Sequence, residues 1–160
     1  MALKPDRIEL LTDVSFFMTS IPAGSTYVER GGVACVVAAT SGVGVSMDDG
    51  NAVVAYSASS SGVNAKPVGI LLNDVVNLDL TRQHINWHKD ETQVGGKVTL
   101  LRVGQVTTNM LVAGTTPSAG ADAYVGVSGL IGTSSTNAVK IGQFLSAKDA
   151  DGYAKVSVNL

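Results

Sequence analysis

The chain has 160 residues, a formal net charge of −2, 45% hydrophobic residues and only 5% aromatic ones. That length buries the core of one domain, and the slight acidic balance excludes a protein that grips nucleic acid through a basic face. No block of like charge offers a membrane-surface patch, no apolar stretch reaches the ~18 residues of a membrane-spanning helix, and the single cysteine, Cys35, excludes an intramolecular disulfide.

The apolar residues are chiefly Val, Ala, Leu and Ile, and Gly occurs 18 times. β-branched side chains suit a pleated sheet and Gly supplies tight turns, whereas runs of strong helix formers are missing, so an all-β fold is predicted. The opening MALKPDRIELL carries Lys4, Asp6, Arg7 and Glu9 where a secretory signal needs an unbroken apolar run, so a soluble protein made in the cytoplasm is expected. From Ile8 to Met18 the even positions Ile8, Leu10, Val14, Phe16 and Met18 are apolar, the period of a strand or extended arm with one covered face. Leu11 and Phe17 break the alternation, and Pro22, Gly24 and Ser25 punctuate it. VACVVAA (Val33 to Ala39) reads as a strand buried on both faces. Ser, Gly, Asp and Asn dominate from Ser41 to Asn64, with a tight-turn pair at Asp49–Gly50, and predict loops and short edge strands. PVGILL (Pro67 to Leu72) is a buried strand opened by proline, and a polar stretch from Asn73 to Gly96 follows.

The last third is the most regular. Lys97 to Met110 is strand-like, and the phase slip at Leu100–Leu101 predicts a β-bulge there. A turn around Pro117 leads to strands over Ala121–Val127 and Leu130–Ile131, joined at Ser128–Gly129. A strand over Ala138–Ser146, a hairpin turn at Asp151–Gly152 and a strict alternation of Ala154, Val156, Val158 and Leu160 complete the chain. Strands at this spacing predict a small β-barrel or compact sandwich with an extended N-terminal arm and long loops. One domain is expected overall, with residues 1–32 as arm or first strand, 33–65 as a strand plus Gly/Ser-rich loops and 66–160 as the barrel core, a division that rests on the family resemblance of the segments below.

Three segments in this order, KPVGILLNDVVNLDLTRQHINWHKDETQVGGKVTLLRVGQVTTNML (Lys66 to Leu111), TPSAGADAYVGVSGLI (Thr116 to Ile131) and VKIGQFLSAKDADGYAKVSV (Val139 to Val158), resemble the capsid decoration, or cement, proteins of tailed bacteriophages. The likeness is to members from cyanobacterial and marine phages, with a weaker echo through Val33 to Tyr56. The resemblance implies a small barrel, often trimeric, on the outer surface of the virion's head. There it binds the major capsid protein at subunit junctions after expansion and reaches neighbouring subunits through its extensions. It implies no catalytic, cofactor-binding or metal-binding residues.

The residues themselves agree with a non-enzymatic reading. On a strand His84 and His88 share a face, with Asp90 and Glu91 near, but no zinc spacing is present. Cys35 lies in an apolar run as a small hydrophobe does. Asp149-Ala150-Asp151-Gly152 lacks the later ligands of a calcium loop, and neither Gly31–Gly32 nor Ser41-Gly42-Val43-Gly44 opens an amphipathic helix as a phosphate loop must. The candidate contacts with capsid or sister subunits are Phe16, Phe17, Met18 and Ile21, the densest apolar cluster, together with Trp87. Two readings of the cluster stand side by side, a core strand and an arm that inserts into a neighbour. Other function classes open to such a chain are a receptor- or carbohydrate-binding β-domain of a virion, for which aromatics are few, and another head or tail structural protein.

Overall fold

Apolar runs without polar interruption need cover on both faces, and the architecture supplies it. The structure, a computed structural model, describes residues 2–18, 27–36, 52–54 (backbone alone), 66–77 and 91–160. These residues form no helix. Their strands are β1 (Ile8–Asp13), β2 (Phe17–Met18), β3 (Tyr27–Val28), β4 (Val33–Val36), β5 (Ala52–Val54), β6 (Pro67–Leu71), β7 (Asp74–Val76), β8 (Glu91–Gln93), β9 (Leu100–Thr108), β10 (Asp122–Val125), β11 (Ile131–Gly132), β12 (Lys140–Phe144) and β13 (Ala154–Asn159). One ten-stranded sheet runs β11-β10-β12-β13-β9-β6-β4-β5-β2, with β1 added on β9; β3, β7 and β8 form a second, small sheet.

The large sheet curls into a nearly closed barrel. Beyond β9 the chain continues through Met110 to Val112 and meets β11: the Ile131 amide donates to the Met110 carbonyl and the Val112 amide to the Ile131 carbonyl, each at 2.9 Å. Strands β9, β13, β12, β10 and β11 thereby come round to the chain that left β9. Closure of this kind removes a free sheet edge. Between β10 and β11, Ser128 (φ 59°) and Gly129 (φ 68°) form the predicted two-residue turn, with φ positive at both positions as a type I′ hairpin requires.

Two cores lie on opposite faces of the strands β4, β6 and β9. Val33, Cys35, Ile70 and Leu101 join Phe144, Ile141, Val156, Val158 and Ile131 inside the barrel. Their chain neighbours Ala34, Leu71 and Leu100 point the other way and pack with Met18, Val28, Val75 and Val98. This double burial corrects the expected bulge at Leu100–Leu101. The two leucines are consecutive residues of β9, paired without a slip with Leu71 and Ile70 of β6, and each enters its own core. Strict alternation is lost because neither face is solvated.

Thr108 is the one buried polar side chain among the described residues. Its hydroxyl donates to the Gly31 carbonyl at 3.1 Å and accepts from the Met110 amide at 3.0 Å, at the point where β9 bends toward β11. Thr108→Val keeps the shape but strands both backbone groups. It is expected to cost about 1–3 kcal/mol, read as a lower urea midpoint with an unchanged slope. A midpoint within error of the parent would show that the two backbone groups find other partners in the variant.

Candidate functional site

The N-terminal segment is held on the outside of the barrel by its beginning. Ala2 and Leu3 are buried, Leu3 bridges to Thr108, the Lys4 amide donates to the Thr107 carbonyl and the Asn109 amide donates to the Ala2 carbonyl. The Lys4 ammonium then lies 2.8 Å from the Asp149 carboxylate and 4.3 Å from the Tyr153 ring centre, on the β12–β13 hairpin, while Lys155 reaches Asp6 at 3.3 Å. After this anchor β1 runs antiparallel along β9, from Ile8 opposite Gln105 to Asp13 opposite Leu100. The approach is close. A Cβ on Gly104 would overlap the Ile8 carbonyl oxygen, so only glycine at 104 admits β1.

The pairing slips twice. Glu9 faces Gly104 and Leu11 faces Val103, so Leu10 is an extra residue, a bulge. The second slip, between Leu11 and Thr12, leaves Arg102 extra on β9 and restores the register. The bulge turns Leu10 outward at 73% exposure, beside Leu11 at 50%, Ile8 at 47% and Val14 at 57%. Tyr27, Val127 and Leu145 are the other exposed large apolar side chains among the described residues, so this short segment concentrates the uncovered apolar surface. Among the described residues β1 pairs only with β9, which leaves its outer edge without a strand partner. An edge strand that is both unpaired and apolar is a surface for strand addition. Charges border it: Arg7 pairs with Glu9, and Asp13 lies 3.7 Å from Arg102. Hydrogen bonds from the Ser15 hydroxyl and amide, with help from Arg102, hold the Asp13 carboxyl below its ordinary range.

The residues singled out from sequence fall differently. Met18 is fully buried in the second core and Phe16 packs against that core, so both take the core-strand position of the two readings. Phe17 is half-buried, with the Lys97 ammonium 5.6 Å from its ring centre. Ile21, Trp87, His84, His88, Asp90, Ser41–Gly44 and Asp49–Gly50 lie outside the described residues. Cys35 is buried, and burial pushes its thiol up to about 11. Among the described residues no three His, Cys, Asp or Glu side chains gather as a metal site would require. Asp149 works as the turn of the last hairpin, accepting the amides of Asp151 at 3.0 Å and Tyr153 at 2.8 Å. The exposed set Ile8, Leu10, Leu11 and Val14 was missed because an apolar alternation implies a covered face. The one signal was Leu11, which breaks that alternation.

The anchor of this surface is sensitive to acid. The Lys4 ammonium, and after it the Tyr153 amide, hold the Asp149 carboxyl below its ordinary value of 3.8, and Lys4 is raised in turn by Asp149. A depressed carboxyl contributes stability that is complete above its ordinary value and vanishes as pH falls through the depressed one. Amides of residues 4–13 are therefore expected to be protected at pH 6 and, relative to their intrinsic rates at each pH, to exchange faster from about pH 4 downward, ahead of those of β12 and β13. Asp149→Asn, which keeps the turn's acceptor and removes the charge, should give the faster exchange already at pH 6. Equal exchange in variant and parent would show that the ion pair does not hold the segment.

No protein-family model and no curated protein matches this chain.

Proposed function

We propose that this chain is a structural virion protein, a decoration or cement protein that binds the major capsid protein on the outer surface of a tailed-phage head and stabilises the expanded capsid. The observation that carries the reading is β1, an apolar, bulged edge strand presented by a nearly closed barrel and tied down at its start. Near-closure removes much of the barrel's own edge, which reduces indiscriminate pairing when copies accumulate at high number. Among the described residues no strand covers the outer edge of β1, which can take up a strand of a shell subunit.

The mechanism is mechanical. A head packed with DNA is weakest where several subunits meet, and a homotrimer seated there touches several of them at once. Each contact is modest, but linked contacts raise avidity by about 10²–10⁴ when geometry permits simultaneous engagement. The chain takes no chemical step in this reading. Purified protein is expected to bind expanded, DNA-free heads of its own phage and to raise their melting temperature. Heads that melt unchanged at saturating protein would reject the cement role.

A further inference from the structure

A cleft of about 370 Å³ opens between the segment that follows β9 and the β11–β12 connection, with Tyr124 of β10 beside it. Its volume lies within the range of about 300–1,000 Å³ typical of small-ligand sites. The cleft shares no residue with β1.

Its chemistry is unusual for this surface. None of its lining residues is charged. Thr115 and Thr116 line it from the segment after β9, and Thr133, Thr136 and Asn137 from the β11–β12 connection. The side chains of these five make no hydrogen bond to another described residue. The loops that carry them are ordered by their own backbone, through the Thr115 amide on the Val112 carbonyl at 3.0 Å and a left-handed Asn137 (φ 54°). Tyr124 is oriented by the hydrogen bond from its hydroxyl to Asp122 at 3.3 Å, and Asp122 is held in turn by Lys140 at 2.7 Å.

We propose that this cleft binds a neutral polyhydroxylated chain, an internal stretch of polysaccharide. An anion would need a cationic or amide-rich cradle, and a cation would need carboxylates; the lining holds neither charge. An apolar ligand would cover the threonine hydroxyls without partnering them, which carries a desolvation cost. A saccharide meets both requirements. Its hydroxyls donate to and accept from Thr and Asn side chains, and its C–H face packs on an aromatic ring such as Tyr124. The cleft is partly open to solvent, as a site for an internal stretch of a chain requires.

The test titrates the isotopically labelled protein with maltohexaose, cellohexaose and chitohexaose, and with their monosaccharides, while recording amide shifts. At least one hexasaccharide is expected to shift residues 112–116, 124–127 and 132–138 and to leave β1 unmoved. The exposed double variant Thr116→Val/Thr136→Val should weaken that binding about tenfold or more, with the melting temperature unchanged. No shift from any of the three at tens of millimolar, or equal affinity for a monosaccharide, would overturn the proposal. Shifts insensitive to the double variant would overturn it too. The readout does not involve phage heads, so its failure and that of the cement role are separable.

Discussion

Replacing Gly142 with alanine is expected to unfold the barrel or come close to it. Gly142 sits in the middle of β12, opposite Val158 of β13, and a Cβ there would overlap the Ser157 carbonyl oxygen and crowd the Val158 Cα. The obstacle is backbone, which no rotamer change can move aside. The ladder from Gly142 to Phe144 must spread, and Phe144 and Ile141, both fully buried, lose their packing with it. Loss of a buried aromatic's packing alone costs about 3–5 kcal/mol, against a total stability of about 5–15 kcal/mol for a typical domain. The melting temperature should fall by about 10 °C or more, whereas Gln143→Ala, at the exposed neighbouring position, should change it little. A Gly142→Ala variant that melts with the parent would mean that β12 and β13 are not paired in this register.

The second large effect is on assembly and leaves the fold intact. Leu10→Asp/Leu11→Asp places two charges on the outward face of β1, where burial is slight and the cost to folding should stay within about 0.5 kcal/mol per site. If β1 docks on the shell, each copy loses the burial of a leucine, about 1.5–3 kcal/mol, and gains buried charge without a partner. If three copies are linked as proposed, that loss is multiplied, so head binding should fall at least about a thousandfold while the free protein's melting curve is preserved. Co-sedimentation with expanded heads measures it. Retained binding would remove β1 from the interface and shift attention to Val127, Leu145 and Tyr27, the remaining exposed apolar side chains among the described residues.

Reading the chain in one dimension reached most strands of the last third, because their two faces differ: Ala154, Val156 and Val158 are buried while Lys155 and Ser157 are partly exposed. The Ser128–Gly129 turn was legible for the same local reason, that few residue pairs accept two positive φ angles. VACVVAA also announced a strand covered on both faces and PVGILL a buried one; β6 and β4, the described part of the first run, place side chains in both cores.

Other features depend on partners far away in sequence. The Leu100–Leu101 step resembles a bulge locally, and only the presence of a second core behind β9 makes it a regular pair. A bulge lies instead at Leu10, where β1 passes Gly104 at close range and then regains register with β9. No local propensity specifies that mismatch. The sequence by itself determined an all-β chain with Gly-punctuated strands and its alternating last strand, since those follow from the chemistry of neighbouring residues. The tertiary structure decided that Phe16 and Met18 belong to the core side while Ile8, Leu10, Leu11 and Val14 are exposed. It decided as well that Thr-rich loops meet across one cleft. An apolar residue records that burial is favourable, but which face of the folded sheet receives cover is settled by strand pairing.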